Sequence, residues 1–173
     1  MAAQTLTGRF AATISLSEIL ASGLSNSQSA AGSLSIAYDF VGGTSNTALA
    51  INQEFTKSAT TVTLNAAASQ TYTLTSLTDD SGRSKSFANG VRFMAVYVTS
   101  RTAGDYLNMG AAATNTWTGL VNSNTAVVKC PDFFVTAVGS TDKLSIASGN
   151  DQVKFTNAGS NPITFKLVVW GNT

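Results

Sequence analysis

The sequence predicts an all-β protein, folded as an antiparallel β-sandwich with jelly-roll-like architecture. Apolar and polar residues alternate in several segments, and a period of two residues is typical of a strand with one face on a core and the other in water. The clearest example is residues 33–40, where every second residue is large and apolar. Turn-forming groups such as Gly42-Gly43 and Asn89-Gly90 separate these segments at the spacing of a sandwich.

The N-terminal part contains the only indication of a helix. Ser15 and Glu18 have the spacing of a capping box, Ile19 and Leu20 follow, and Gly23 is a stop signal. We therefore expect at most one short helix near residues 15–22. The next stretch, about residues 21–33, is rich in Ser, Ala and Asn and has too little apolar content to fold on itself, so we expect a flexible loop there.

β-branched and aromatic residues predict the remaining strands. These strands are expected at residues 5–12, 33–40, 49–55, 60–65, 71–75, 91–99, 105–109, 126–129, 133–138, 143–147, 153–155 and 163–170. Residues 91–98 are apolar on both faces, because Phe93, Ala95 and Tyr97 alternate with Met94, Val96 and Val98. Such a strand is covered on both sides, either within the domain or by a neighbouring subunit.

The chain length indicates one domain over residues 1–173, because 173 residues is an ordinary single-domain size and no composition break indicates a linker. The first residues lack the apolar run of a secretory signal peptide. No apolar run approaches the roughly 20 residues of a membrane helix. We expect no membrane partner.

Charge and composition exclude several classes of function. Charged residues make up 11% of the chain and the net charge is +1 with no basic cluster, which argues against binding to nucleic acid or to an anionic membrane. With no histidine and one cysteine, the chain has no Ser-His-Asp or Cys-His catalysis and no histidine-based metal site. We expect a protein without enzymatic activity and without a cofactor. Cys130 is interpreted as a small buried apolar residue, the other reading being a reactive thiol or an intermolecular link.

The acidic residues offer one cluster, Asp79-Asp80-Ser81-Gly82. It is interpreted as a plain turn, with a cation site as the alternative, because it lacks the spacing of an EF-hand loop. The sequence neither supplies nor excludes a glycosidase-type pair of carboxylates, since their separation in space is not readable from it.

Two aromatic residues could form a sugar-binding site. Tyr106 and Trp117 lie on either side of a polar segment and could stack on sugar rings. Their polar partners would be Asp105, Asn108 and Asn115. The simpler reading is that these aromatics are core residues or interface anchors.

A surface with so few charges has little protection against self-contact, which favours assembly. We expect the apolar anchors of such an assembly to come from Trp117, Phe133, Phe134 and Trp170, some of which must instead lie in the core.

The C-terminal half resembles a known group of proteins. It contains, in order, Leu77-Thr78-Asp79-Asp80-Ser81-Gly82, the apolar strand 91–99, Asp105-Tyr106-Leu107-Asn108-Met109-Gly110, Asn115-Thr116-Trp117, residues 127–134, Lys143-Leu144-Ser145-Ile146, and an ending from Val153-Lys154-Phe155 to Val169-Trp170-Gly171. This pattern is similar to the small β-sandwich, jelly-roll-like structural proteins of bacteriophage virions that are encoded near head and tail genes. Cys130-Pro131-Asp132 departs from it, since a Gly-containing turn is expected at that position.

The resemblance implies a virion component without enzymatic activity, present in many identical copies as a capsid, decoration or head-associated subunit. Its partners would be itself and other virion proteins. Two alternatives remain open from the sequence: a carbohydrate- or receptor-binding sandwich module, and a bacterial surface or filament subunit. These alternatives would place the protein outside the cell or at the cell surface.

Overall fold

The computed structural model describes residues 8–21, 27–42, 50–51, 53–110, 112–120, 123, 125–138, 143–147 and 149–173. Within these residues the protein contains strands and no helix, so the all-β prediction is confirmed. The strands are β1 (Gly8–Ala21), β2 (Ser27–Gly42), β3 (Ala50–Ile51), β4 (Gln53–Leu64), β5 (Ser69–Thr73), β6 (Leu77–Thr78), β7 (Ser84–Lys85), β8 (Gly90–Ser100), β9 (Leu107–Gly110), β10 (Val127–Cys130), β11 (Phe133–Ala137), β12 (Gln152–Asn157) and β13 (Ile163–Asn172).

Eight of these strands form two antiparallel sheets. One sheet has the order β11-β8-β13-β4 and the other the order β10-β9-β12-β5. The pairings are nested along the chain: β9 pairs with β10, β8 with β11, β5 with β12, and β4 with β13. Two further pairings, β8 with β13 and β9 with β12, complete the sheets. The short strands β6 and β7 pair with each other.

The two sheets share one apolar core in a sandwich-like arrangement. Strand β13 alternates between buried and half-buried residues along most of its length, as expected for a strand with one face on a core. Phe165 of β13 stacks on Phe155 of β12, in the other sheet, with ring centroids 5.2 Å apart. Tyr72 of β5 meets Phe155 and Phe55 edge-on, at 5.7 and 5.9 Å. These aromatic contacts join the two sheets at the centre of the core.

The N-terminal segment corrects two predictions. The expected short helix at 15–22 is wrong, because β1 is extended through Ala21 and pairs antiparallel with β2. The expected loop at 21–33 is wrong from Ser27 onward, where β2 begins; residues 22–26 lie outside the described residues. The physical reason is the partner strand: Ser15 is opposite Ser33 in the register, so a continuous ladder of backbone hydrogen bonds replaces the local capping signal.

Most of the other predicted strands are found with shifts of a few residues at their ends. The strands predicted at 49–55 and 60–65 are not separate, because β4 runs without a break from Gln53 to Leu64 and Ala50–Ile51 forms β3 before it; residues 5–7, 49 and 52 lie outside the described residues. The strand predicted at 143–147 is not formed. There, Leu144 forms an isolated bridge with Val91, with backbone hydrogen bonds of 2.9 and 3.0 Å, and Ala147 bridges Asn150. The bridge to Val91 lies where the pairing of β8 with β13 shifts register between Trp170 and Gly171.

Candidate functional site

The outward surface of the β11-β8-β13-β4 sheet is apolar along β8 and β11. On β13 and β4 it also carries charges, because Lys166 is opposite Tyr97 and Glu54 is opposite Trp170 in the register. Strand alternation separates it from the core: on β8, Met94, Val96 and Val98 face inward, while Phe93, Ala95 and Tyr97 face outward. The register brings outward residues of β11 and β13 beside them. We call this surface the outer aromatic face, and its members are Phe93, Ala95, Tyr97, Phe133, Val135, Ala137, Val168 and Trp170.

One end of the outer aromatic face is packed and the other is open. Phe93 stacks on Trp170, with ring centroids 4.5 Å apart, and Phe93 is buried. At the other end Tyr97 and Phe133 are directly opposite in the register, and each is 55% exposed. An exposed cross-strand pair of aromatic rings is an uncommon feature for a surface that meets only water, and it is typical of a contact surface.

The four predicted anchors occupy different environments. Phe133 is exposed on the outer aromatic face, Trp170 is half-buried on the same face, and Phe134 is half-buried against the core. Tyr97 belongs with Phe133 although the sequence did not single it out as an anchor. Its position in an alternating apolar strand was visible, but its pairing with Phe133 depends on the register between β8 and β11.

Trp117 is one of the four anchor candidates that lie in the core, because its side chain is 1% exposed. Its indole N–H donates a 2.8 Å hydrogen bond to the backbone carbonyl of Ser145, which satisfies its one polar group inside the core. Gly119 packs directly against the ring, and a Cβ at that position would overlap it. The same burial removes Trp117 from the predicted sugar-binding set.

The remaining sugar-binding candidates are engaged within the protein. The Asp105 carboxylate accepts hydrogen bonds from the backbone N–H groups of Ser160 and Asn161, and from the side-chain amide of Asn161. These bonds, the largest being that from the Asn161 side chain, outweigh burial and hold the pKa of Asp105 below its ordinary value. The carboxylate therefore fixes the loop between β12 and β13.

Tyr106 and Asn108 lie at the outward surface of the second sheet. The ammonium group of Lys129 is 3.8 Å from the centroid of the Tyr106 ring, a cation–π contact that occupies one face of that ring. Asn108 is half-buried and opposite both Lys129 and Thr156 in the register. Lys154 lies on the same surface, opposite Thr71 of β5. This second outward surface is therefore polar, whereas the outward surface of the first sheet is apolar along β8 and β11.

The acidic turn at Asp79 is a hydrogen-bonded turn. The Asp79 carboxylate accepts from the backbone N–H groups of Ser81 and Arg83, both at 2.9 Å, and from the Arg83 guanidinium at 2.8 Å. Burial opposes ionisation of Asp79, but these hydrogen bonds outweigh it and hold its pKa below the ordinary value. Asp80 forms an ion pair with Lys57 at 3.2 Å. These partners fit the reading of this segment as a turn.

A shallow depression lies at the end of β8 beside the outer aromatic face. Its volume is about 500 Å³, and its lining includes Val98, Thr99, Ser100, Arg101, Ala103 and Asp132. The Arg101 guanidinium bonds the Asp132 carboxylate at 2.8 and 2.9 Å and the backbone carbonyl of Asp105 at 3.3 Å. The two charges in the depression therefore neutralise each other.

Cys130 is buried, as expected from the sequence. Burial, with a smaller contribution from the Asp132 charge, raises the pKa of its thiol to about 11. Since the thiolate is the reactive form, this thiol is a poor nucleophile at neutral pH.

Within the described part of the chain, no group of three or more His, Cys, Asp or Glu residues is arranged to hold a metal ion. A search of the same residues finds no helix with the length and hydropathy needed to cross a membrane. Comparisons with protein-family models, with curated proteins and with solved structures each found no match to this chain.

Proposed function

We propose that this protein is a non-enzymatic structural subunit that acts by self-association and docking in many copies. The setting we propose is a bacteriophage virion, where it would be a capsid, decoration or head-associated protein with itself and other virion proteins as partners. The observation that carries the proposal is the outer aromatic face, in which Tyr97 and Phe133 are opposite each other and each 55% exposed.

The strand order supports the virion setting. Counted along the chain, the eight sandwich strands are β4, β5, β8, β9, β10, β11, β12 and β13. The first and last of them pair, as do the second and seventh, the third and sixth, and the fourth and fifth. This nesting supports a jelly-roll connectivity, and the jelly roll is a fold common in viral capsid proteins and lectins. We therefore propose a jelly-roll topology for the sandwich.

The polar side chains support a structural role over an enzymatic one. Asp79 and Asp105 each accept several hydrogen bonds from nearby loop residues, and Asp132 is paired with Arg101. These carboxylates stabilise turns and strand ends, which leaves them poorly placed to exchange protons with a substrate. The aromatic rings are the exposed groups with the most contact energy to offer.

The alternative of a carbohydrate-binding (lectin) module has less support. It drew on Tyr106 and Trp117 as stacking platforms, but Trp117 is buried and the Tyr106 ring is covered on one side by Lys129. A bacterial surface or filament subunit would share the same self-association and differs in the particle that contains it.

The test is the size of the wild-type protein in solution. Light scattering coupled to size exclusion, followed by negative-stain microscopy, should find concentration-dependent assemblies at micromolar protein. A glycan array with the same sample should be blank. Mass spectrometry of purified virions should find the chain at high copy number. A folded monomer that neither self-associates nor binds viral particles would overturn the proposal, and a strong glycan signal would favour the lectin alternative.

A further inference from the structure

Among the residues that the structure describes, β11 is an edge strand that lacks the usual protection. Edge strands of soluble proteins carry charges, proline or bulges that prevent pairing with another chain. Of the four edge strands of the two sheets, β4 carries Glu54 and Lys57 and β10 carries Lys129. Strand β5 has no charge and no proline, but it is polar, consisting mostly of Ser, Thr and Gln. Strand β11 reads Phe-Phe-Val-Thr-Ala, with no charge and no proline. The nearest charge, Asp132, is neutralised by Arg101.

The backbone of β11 has hydrogen-bonding groups directed away from its own sheet. The N–H of Val98 donates to the carbonyl of Asp132, and the N–H of Val138 donates to the carbonyl of Arg92, both at 2.8 Å. In an antiparallel ladder every second residue bonds the neighbouring strand, so the even-numbered residues of this stretch face β8. The N–H and C=O groups of Phe133, Val135 and Ala137 therefore point to the open edge.

The side chains of β11 are complementary to themselves. When two copies of the strand are placed antiparallel with Val135 opposite Val135, Phe133 is opposite Ala137 of the second copy and Phe134 is opposite Thr136. Each large ring then has a small neighbour across the pair, which is a packing that cross-strand contacts favour. In this register the outward-directed backbone groups of the two strands bond each other.

We propose that β11 pairs with β11 of a second copy across a two-fold axis at Val135, so that the β11-β8-β13-β4 sheets of the two copies become continuous. This inference rests on the proposed function, because it names the contact through which the subunits associate. Opposite residues of an antiparallel pair lie on the same face of a sheet. The outer aromatic faces of the two copies would thus join into one surface, with both Phe133 rings beside the axis.

The test uses the self-opposition of Val135. In Val135→Lys, two lysine side chains face each other at the axis. In Val135→Glu, two carboxylates face each other at the same place. Because like charges repel, each variant alone should weaken self-association by at least about tenfold. An equimolar mixture of the two variants should restore association, because opposite charges then meet. Val135→Pro is a second variant, which removes the outward N–H without touching the ladder to β8.

The matched control is Val127→Lys. Val127 is 50% exposed on β10, an edge strand of the other sheet, so the same change there adds the same charge away from the contact. Sedimentation velocity over a concentration series measures association, and circular dichroism checks that each variant is folded. We expect Val127→Lys to associate like the wild-type protein.

The outcomes separate this inference from the proposed function. If the wild-type protein associates and the Val135 variants associate equally well, pairing through β11 is overturned while self-association stands. If both charged variants dissociate but their mixture does not recover, the two-fold register is overturned. If the wild-type protein is monomeric throughout, the proposed function fails and the pairing fails with it.

Discussion

Asn157 is the residue that most directly ties loops to the core. Its side chain is buried, and its amide N–H₂ group contacts the backbone carbonyls of Leu64 and Asn65 at 3.0 Å and of Asn161 at 2.8 Å. Its side-chain oxygen accepts from the N–H of Gly159 at 2.8 Å. One side chain thus joins the end of β4 to the turn between β12 and β13.

Replacing Asn157 with Ala should destabilise the protein by about 3 kcal/mol, because buried backbone groups lose their partner and gain no water. Urea unfolding measures this change. The control is Asn65→Ala at an exposed neighbour, where we expect a change within about 0.5 kcal/mol. Equal effects of the two substitutions would contradict the role given to Asn157.

Cys130 should react with thiol reagents only after unfolding. Its raised pKa, about 11, leaves little thiolate at pH 8, and burial blocks access of the reagent. Labelling with an aromatic disulfide reagent should be slow in native buffer and rapid in denaturant. Cys130→Ala should stay folded with a packing cost of about 1 kcal/mol. Rapid labelling of the native protein would show that the thiol is accessible.

At the scale of elements, the sequence predicts strands correctly where apolar and polar residues alternate strongly. It does not predict them where pairing with a distant strand determines the conformation of a segment. The segment 33–40 lies in β2 as expected. The predictions for residues 15–21 and 27–33 are wrong, because a capping box and a small polar composition are local signals. The ladder between β1 and β2 joins positions as distant as Gly8 and Phe40, and no local window reports such a pairing.

The candidate site was predictable only in part, for a related reason. Alternation identifies Phe93, Ala95 and Tyr97 as one face of a strand, and the sequence predicts Phe133 as a candidate anchor. The decision between core and surface for Trp117 and Phe133 needs the packing of both sheets, since both are aromatic residues near turns. The exposed pairing of Tyr97 with Phe133 needs the register between β8 and β11.

Alanine at the aromatic positions should separate contact from core. Phe133→Ala removes an exposed ring and should weaken association. The free energy of unfolding should change by less than about 1 kcal/mol. Trp117→Ala empties a core site and should cost about 3–5 kcal/mol. Calorimetry and light scattering on the same samples measure both quantities. If Phe133→Ala lowered the free energy of unfolding strongly and left the assembly size unchanged, Phe133 would be a core residue and not a contact residue.

For the whole molecule, stability should decline at both ends of the pH scale. The pKa values of Asp79 and Asp105 are lowered by folding, so their contribution is present above their ordinary pKa near 3.8 and is lost as pH falls through the lowered values. Folding raises the pKa of Cys130 from 9.0 to about 11 and that of Tyr72 from 10.0 to about 12. Their contribution is present below the ordinary pKa values and is lost as pH rises through the raised ones.

Thermal unfolding from about pH 2 to about pH 12 should therefore give a plateau between two declining limbs. The double variant Asp79→Asn with Asp105→Asn should flatten the acid limb, and Cys130→Ala with Tyr72→Phe should flatten the alkaline limb. Each pair acts on one limb only, so each serves as the control for the other. An acid limb unchanged by the asparagine substitutions would assign it to other carboxylates.

The two outward surfaces of the sandwich differ in chemistry, and this difference gives the subunit a front and a back. One side presents aromatic rings on β8 and β11, and the other presents Lys129 and Lys154 among Asn and Thr side chains. Copies joined edge to edge in one orientation repeat this difference across their whole area. A layer built from them would be chemically two-faced, with rows of exposed aromatic rings on one side and rows of lysine ammonium groups among hydrated polar side chains on the other.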